Sequence, residues 1–409
     1  MTDQTARVAP PSGAPAPDVP APDVPAPDVP ALDVVALTRA LVAVDSTNPG
    51  GDEPAALAVL ADLFSSRGLS PEVDRYRDGH ANLVVRVPFG PGPTLMLNSH
   101  IDVVPAGGGW AHDPFTPVVA DGRLYGRGSA DAKGSLAAMA VALLELVDSG
   151  AALSGTVVFT AVGDEEGGST GARHLITSLR PDACVVGEPT GLQLLSAHKG
   201  SVRPVIEVRG VPAHAATPHL GANAVEGAAE LVLELRRLAV ELLDRDHELT
   251  GGPTMTTVFV SGGEAPNAVP ERCRITLDRR LVPGEDDAGA LAEVQAVLDR
   301  FNAGHPRLSA AVVECAPSTG GPSETPRDHP FVAAAVAGMA AAGERTDLGG
   351  LVVNCDMTTF RAAGVPTVIV GPGTLEVMHA IDEHVPVEQL HRAVAVHRAI
   401  VESYLAGAR

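Results

Sequence analysis

Aromatic side chains are scarce in this 409-residue sequence, which has one tryptophan, three tyrosines and eight phenylalanines, or 3% of the chain. Alanine, valine and leucine are abundant, so we expect a core of aliphatic side chains. Hydrophobic residues make up 45% and charged residues 19%, a composition typical of soluble globular proteins. The length is sufficient for two ordinary domains.

Basic residues are also few, since 29 lysines and arginines face 50 acidic residues and give a formal net charge of -21. So acidic a chain is poorly suited to nucleic acid or to an anionic membrane surface. It has no recognisable signal peptide and no apolar run of about 18 residues, the length that a membrane span needs. We therefore expect neither nucleic acid nor a membrane as a partner.

Cysteine is rare as well, and Cys184, Cys273, Cys315 and Cys355 lie far apart without a CxxC pair. This spacing does not fit a disulfide framework and predicts a reducing, cytoplasmic environment.

Proline, in contrast, is concentrated at the N-terminus, where "PAPDV" occurs three times from Pro15 and is followed by "PALDV". Because proline fixes φ and removes a backbone donor, residues 1–30 are predicted to form a disordered or polyproline-like tail. The tail is either a docking arm or a solvated segment without a catalytic role.

From Leu32 onward, short apolar runs alternate with helical stretches, which predicts an α/β sheet buried on both faces. The middle of the chain instead follows a strand–helix–strand–strand–helix–strand order, which predicts a small inserted α+β module. The predicted domains are a first catalytic part over 31–196, the inserted module over 197–318, and a second catalytic part over 319–409.

Acids and histidines follow the predicted strands, at the edge where α/β sheets bind ligands. Each alone is more often structural, but together they indicate a divalent metal rather than a cysteine-bound structural zinc. Their number exceeds the needs of one tetrahedral ion, so two ions with a bridging carboxylate are the simpler interpretation. The candidates are His100 and Asp102 in "TLMLNSHID", Asp131 in "GRGSADAKG", Glu165 and Glu166 in "GDEEGG", Glu188 in "GEPT", and His379 in "HAIDE".

These motifs, in this order from about residue 32 to the C-terminus, resemble the dinuclear-zinc aminoacylases and carboxypeptidases. That family includes acetylornithine deacetylase and succinyl-diaminopimelate desuccinylase. The resemblance implies a zinc-peptidase catalytic domain with a mixed, largely parallel sheet, and an inserted ferredoxin-like domain that serves as lid and dimerisation domain.

The resemblance also implies a role for each matching residue. His100 and Glu188 would bind one metal, Glu166 and His379 the other, and Asp131 would bridge them. Zinc is expected, while cobalt or manganese also suits carboxylate-rich sites. Asp102 would hydrogen-bond the ring of His100 and fix its tautomer. Glu165 would take a proton from the metal-bound water that acts as nucleophile, and would deliver it to the leaving nitrogen.

Three further candidates lie in the lid. His214 in "GVPAHAATP" would stabilise the oxyanion, reaching across from a partner subunit of a homodimer. The alternative is that His214 is a polar loop histidine. Asn267 and Arg280 would bind the substrate carboxylate. Arg279 could replace Arg280, but strand alternation sends the two side chains to opposite faces.

The predicted activity is therefore metal-dependent hydrolysis of the amide bond of an N-acyl-L-amino acid. A dipeptidase or carboxypeptidase on the same scaffold is the alternative, and a catalytically silent homologue is a third possibility that the complete ligand set disfavours. Cys355, which departs from the family pattern, is either a small buried thiol or part of an acyl pocket.

Overall fold

The computed structural model describes residues 32–406, so the predicted proline-rich tail lies outside the described residues. Within this range the chain first builds most of a large sheet and its helices. These elements are α1 (Val34–Val42), α2 (Glu53–Ser66), β1 (Glu72–Arg77), β2 (His80–Pro88), β3 (Thr94–His100), β4 (Val118–Ala120), β5 (Arg123–Tyr125), α3 (Lys133–Asp148), β6 (Thr156–Val162), α4 (Glu165–Gly168), α5 (Thr170–Ser178), β7 (Ala183–Val186) and β8 (Leu195–His198).

The inserted module follows, and the chain then returns to the large sheet. The module contains β9 (Gly200–Arg209), β10 (Ala213–His214), α6 (Ala224–Glu241), β11 (Thr254–Gly262), β12 (Ala268–Val269), β13 (Arg272–Leu281), α7 (Asp287–Gly304) and β14 (Ser309–Ala316). The last part contains β15 (Ser323–Glu324), α8 (Pro330–Ala341), β16 (Gly349–Leu351), α9 (Met357–Ala362), β17 (Thr367–Ile369), β18 (His384–Pro386) and α10 (Val387–Leu405).

The large sheet has the order β1-β2-β6-β3-β7-β17-β8-β15, with β16 paired to β8. Its centre, from β6 through β3 and β7 to β17, is parallel, whereas β1, β2 and β15 pair antiparallel at the edges. The predicted mixed α/β sheet is therefore confirmed. Parallel pairing is concentrated in the centre, where crossover helices connect the strands, and β16 adds one further parallel pair with β8.

Helices cover both faces of this sheet, and the alternation of side chains along each strand explains why. In β6, Val157 and Phe159 pack into a cluster with α1, α2, α3, α8 and α10, while Val158 packs into a second cluster on the other face. Helix α3 is buried almost all round because it lies between the sheet and the outer helices α1 and α10. Consecutive residues of a central strand point to opposite faces of the sheet. Both must be apolar because helices cover both faces.

The inserted module forms its own four-stranded antiparallel sheet, β11-β13-β9-β14, packed on α6 and α7 around a separate core. This order and the βαββαβ sequence confirm the predicted ferredoxin-like lid. The strand β8 of the large sheet extends to His198, two residues beyond the predicted boundary at 196, and β9 begins at Gly200. The exact domain boundaries remain predictions.

Candidate active site

The predicted metal ligands converge at the carboxyl edge of the parallel strands. His100 is the last residue of β3, Glu166 lies in the short helix α4, and the other ligands lie in loops of the same region. Glu166 follows β6, Glu188 follows β7, His379 follows β17, and Asp131 precedes α3. The fold thus brings together side chains that are almost 280 residues apart in sequence, from His100 to His379.

Asp131 lies at the centre of the cluster and presents one oxygen to each histidine. Its Oδ1 is 3.1 Å from Nε2 of His100, and its Oδ2 is 3.1 Å from Nε2 of His379. Glu188 Oε2 lies 4.0 Å from the His100 nitrogen, and Glu166 Oε1 lies 3.1 Å from the His379 nitrogen. Two groups of three potential ligands therefore share Asp131, and within each group the ligand atoms lie within 4.8 Å of one another.

The chemistry of these groups fits divalent cations. Asp131 Oδ2 is buried and accepts no hydrogen bond, as expected for an oxygen that a cation would satisfy. Burial, with the neighbouring carboxylates, raises the pKa of Glu188 well above its ordinary value. Burial alone would lower the pKa of His379, but the carboxylates of Asp131 and Glu166 raise it to about 10. This concentration of negative charge favours a positive partner.

The ring of His100 is held differently from the sequence prediction. Its Nδ1 lies 2.9 Å from the backbone carbonyl oxygen of Asp102, whereas the Asp102 carboxylate Oδ1 is 3.6 Å away. Donation from Nδ1 to the carbonyl leaves Nε2 free to face Asp131. Asp102 therefore does hold the imidazole, but mainly through its main chain.

The Asp102 carboxylate instead organises the acidic turn. It accepts hydrogen bonds from the backbone N–H of Glu165 at 3.0 Å and of Glu166 at 3.1 Å. A third bond, at 2.9 Å, comes from the side-chain amide of Asn48. Asp102 thus fixes the backbone of the two glutamates. Sequence analysis did not identify Asn48, which belongs to the proline- and glycine-containing stretch after α1.

The first acid of the triplet, Asp164, is a structural residue. It has a left-handed backbone with φ of 60°, and its carboxylate binds Arg77 Nη2 at 2.9 Å, the Asn48 amide at 2.8 Å, and the Thr170 hydroxyl. A Cβ at Gly167 would overlap this carboxylate. The "GDEEGG" motif therefore needs its glycine for space, and Arg77 neutralises one of its three charges.

Glu383, the last residue of the "HAIDE" motif, supports Asp131 from behind. This fully buried carboxylate accepts backbone N–H bonds from Gly128 at 3.0 Å, Ala130 at 2.9 Å and Asp131 at 3.0 Å, and binds Arg127 Nη1 at 2.6 Å. The sequence pattern assigned a role to His379 of this motif and none to Glu383.

Glu165 lines an open cleft of about 660 Å³ between the large sheet and the lid. It is only 7% exposed, and burial raises its pKa well above the ordinary value for a glutamate. Glu166, His379 and Arg280 line the same cleft. Arg203, which sequence analysis missed, lies beside Arg280.

Arg279 and Arg280 point to opposite faces of β13, as strand alternation predicted. Arg279 is buried against Glu285, with Nη2 donating to Oε1 at 2.7 Å, whereas Arg280 lines the cleft. His214 and Asn267 are exposed on the lid, where Ala215 N donates to Asn267 O at 2.9 Å, and neither lines the cleft of its own chain. Cys355 is buried in the hydrophobic cluster beside α9 and does not line the cleft, so the buried-thiol interpretation fits better.

The sequence matches the model of peptidase family M20/M25/M40 over residues 96–403. The chain belongs to this family. Among curated M20 relatives, acetylornithine deacetylase of Proteus mirabilis is 32% identical over 379 residues, covering 90% of this chain and 94% of the relative. Acetylornithine deacetylase of Salmonella heidelberg is 33% identical over 363 residues, covering 85% and 91%. The protein is therefore a hydrolase acting on amide bonds.

Several solved structures have the same fold. A tripeptidase from Staphylococcus aureus superposes with a TM-score of 0.75 at 22% identity, covering 92% of this chain and 98% of that chain. Human carnosine dipeptidase 1 gives 0.71 at 17% identity, covering 91% and 96%. A dinuclear metal-binding peptidase from Bacillus subtilis gives 0.69 at 15% identity, covering 92% and 98%.

No helix among residues 32–406 has the length and apolar character that crossing a membrane requires.

Proposed function

We propose that the protein is a metal-dependent deacylase that hydrolyses the amide bond of N-acyl-L-amino acids, as an acetylornithine deacetylase or succinyl-diaminopimelate desuccinylase does. The observation that carries this proposal is the pair of ligand groups sharing Asp131, beside the buried Glu165, in a cleft that also contains Arg280. The identity to curated acetylornithine deacetylases supports the same activity.

His100 and Glu188 would hold one divalent ion, Glu166 and His379 a second, and Asp131 both. Zinc suits this mixture of imidazole and carboxylate ligands, and cobalt or manganese would also be accepted. Two such ions would supply Lewis acidity toward a carbonyl oxygen and would lower the pKa of bound water.

Glu165 is the proposed general base. Asp102 fixes its backbone and the cleft gives it access to substrate, so it can accept a proton from water and then donate that proton to the leaving nitrogen. Because burial raises its pKa, its carboxyl group is a better proton acceptor than an exposed glutamate. Arg280 would bind the carboxylate of the substrate and so orient the substrate.

A dipeptidase or carboxypeptidase is the second candidate, since the solved relatives include a tripeptidase and a dipeptidase. The chemistry at the scissile bond is the same, and only the group on the acyl side differs. A silent homologue is disfavoured because every proposed ligand and Glu165 are present and brought together.

We also propose a homodimer formed through the lid, with His214 and Asn267 acting in the partner's cleft. Both residues are exposed on the lid and lie outside the lining of their own cleft. The edge strand β11 exposes Val258, Phe259 and Val260 at 52%, 68% and 52%. An apolar edge of this kind is suited to pairing with a second copy.

The test is amine release from N-acetyl and N-succinyl amino acids and from dipeptides, by protein reloaded with zinc or cobalt. Release from one acyl class, abolished by chelator and restored by metal, is the expected result. Release from dipeptides alone would favour the peptidase alternative. No release from any substrate, with two metals bound per subunit, would overturn the proposed activity.

A further inference from the structure

Apart from His379, which the proposed function assigns to a metal, the basic side chains that line the described cleft are Arg203 on β9 and Arg280 on β13, with Asp278 between them in one cluster. Arg203 Nε donates to Asp278 Oδ2 at 2.9 Å, and Arg280 Nε donates to Asp278 Oδ1 at 2.6 Å. Arg203 Nη1 also donates to the carbonyl oxygen of Pro317 at 2.7 Å. These bonds fix both guanidinium groups in place and leave further N–H donors on each.

The cluster carries one net positive charge, because two arginines share one carboxylate. Burial alone would raise the pKa of Asp278, but the bonds from Arg203 and Arg280 lower it, so the carboxylate is ionised. One net charge matches one anionic group. The α-carboxylate of the proposed substrate supplies that group. No net positive charge of the cluster then remains for a second anionic group.

The remaining wall of the cleft is apolar or uncharged. Val104, Val352, Val353, Leu375 and Met378 line it, together with the uncharged polar side chains of Ser318, Thr319 and Asn354. The acidic side chains that line the described cleft are Glu165 and Glu166, and the proposed function uses both, one as base and one as ligand. A cationic substrate side chain would therefore meet no free carboxylate from the same chain there.

From this arrangement we infer that the preferred substrates carry an uncharged, aliphatic side chain, and that a cationic side chain is selected against. This inference rests on the proposed function and adds the substrate class. An ammonium group against the apolar wall would displace water there without gaining a carboxylate partner. This substrate preference would then differ from the preference for acetylornithine that the name of the curated relatives implies.

The test compares kcat/KM for N-acetyl-L-norleucine and N-acetyl-L-ornithine, whose side chains have the same number of heavy atoms and differ in a terminal methyl or ammonium group. We expect the norleucine substrate to be favoured at least about tenfold. N-acetyl-L-glutamate, with a second carboxylate, should also rank below it. A preference for either charged substrate would overturn the inference and leave the proposed function intact. No hydrolysis of any of the three would count against both.

A charge introduced into the wall gives an independent test. Val352 is 49% exposed in the cleft and has no role in the proposed catalysis. Val352→Asp should raise the ornithine-to-norleucine ratio about tenfold over its matched uncharged control, Val352→Asn. An equal ratio in the two variants would overturn the assignment of this wall to the substrate side chain.

Discussion

Glu165 and Glu166 are adjacent in the chain, yet the turn after β6 gives them different partners. Glu166 lies 3.1 Å from His379, whereas Glu165 faces the cleft. Glu165→Gln should therefore keep both metals and lower kcat by about 10²- to 10⁴-fold, because the amide cannot accept the proton. Metal analysis and steady-state kinetics check this, with Glu166→Gln as the control that should lose metal. Normal turnover in Glu165→Gln would contradict its role as base.

Asp131 is the one carboxylate shared by both ligand groups. Asp131→Asn should weaken both metal sites, while Glu188→Gln should weaken only one, because each amide removes a charged ligand oxygen without changing the side-chain shape. Metal content after dialysis, measured by mass spectrometry, distinguishes the two. Two tightly bound ions in Asp131→Asn would exclude a bridging role.

At the scale of elements, α10 buries a histidine that the site does not use. His397 is fully buried, both ring nitrogens lack hydrogen-bond partners, and burial lowers its pKa to about 3. The unfolded chain, with a histidine pKa of about 6.5, binds a proton that the folded chain does not, so stability is lost as pH falls below that value. The loss should reach about 1.4 kcal/mol between pH 7.5 and pH 5.5.

His397→Leu should abolish that loss and raise the free energy of unfolding more at pH 5.5 than at pH 7.5. Urea unfolding at the two pH values measures it, with His391→Leu on the exposed side of the same helix as the control. The same pH dependence in wild type and His397→Leu would refute the assignment.

At the scale of the whole molecule, the exposed His214 lies on the lid and does not line the cleft of its own chain. His214→Ala should reduce kcat without changing metal content. Mixing it with Asp131→Asn should restore up to about a quarter of wild-type activity, since half of the random dimers would contain one complete site. Assays after co-refolding measure this recovery. No recovery, with mixed dimers shown to form, would place the histidine outside the partner's site.

Much of the fold and of the ligand set could be predicted because the signals are local. Strand-forming runs that end in histidine or acid place those residues at one sheet edge whatever the details of packing. The support by Glu383 and Asn48 could not be predicted, because Glu383 accepts from backbone N–H groups, and Asn48 donates to the Asp102 carboxylate, more than 50 residues away. The same holds for Arg203, which reaches the cleft only because β9 pairs with β13.

The sequence by itself determined the fold class, the two-part catalytic domain with its inserted module, and the ligand candidates, since periodicity and motif order depend on neighbouring residues. A cytoplasmic location remains a prediction from cysteine usage. The tertiary structure alone decided that Asp102 holds His100 through its carbonyl, that Asp164 is structural, and that Arg203 and Arg280 share Asp278. These contacts join distant segments, and their geometry depends on packing that no local pattern encodes.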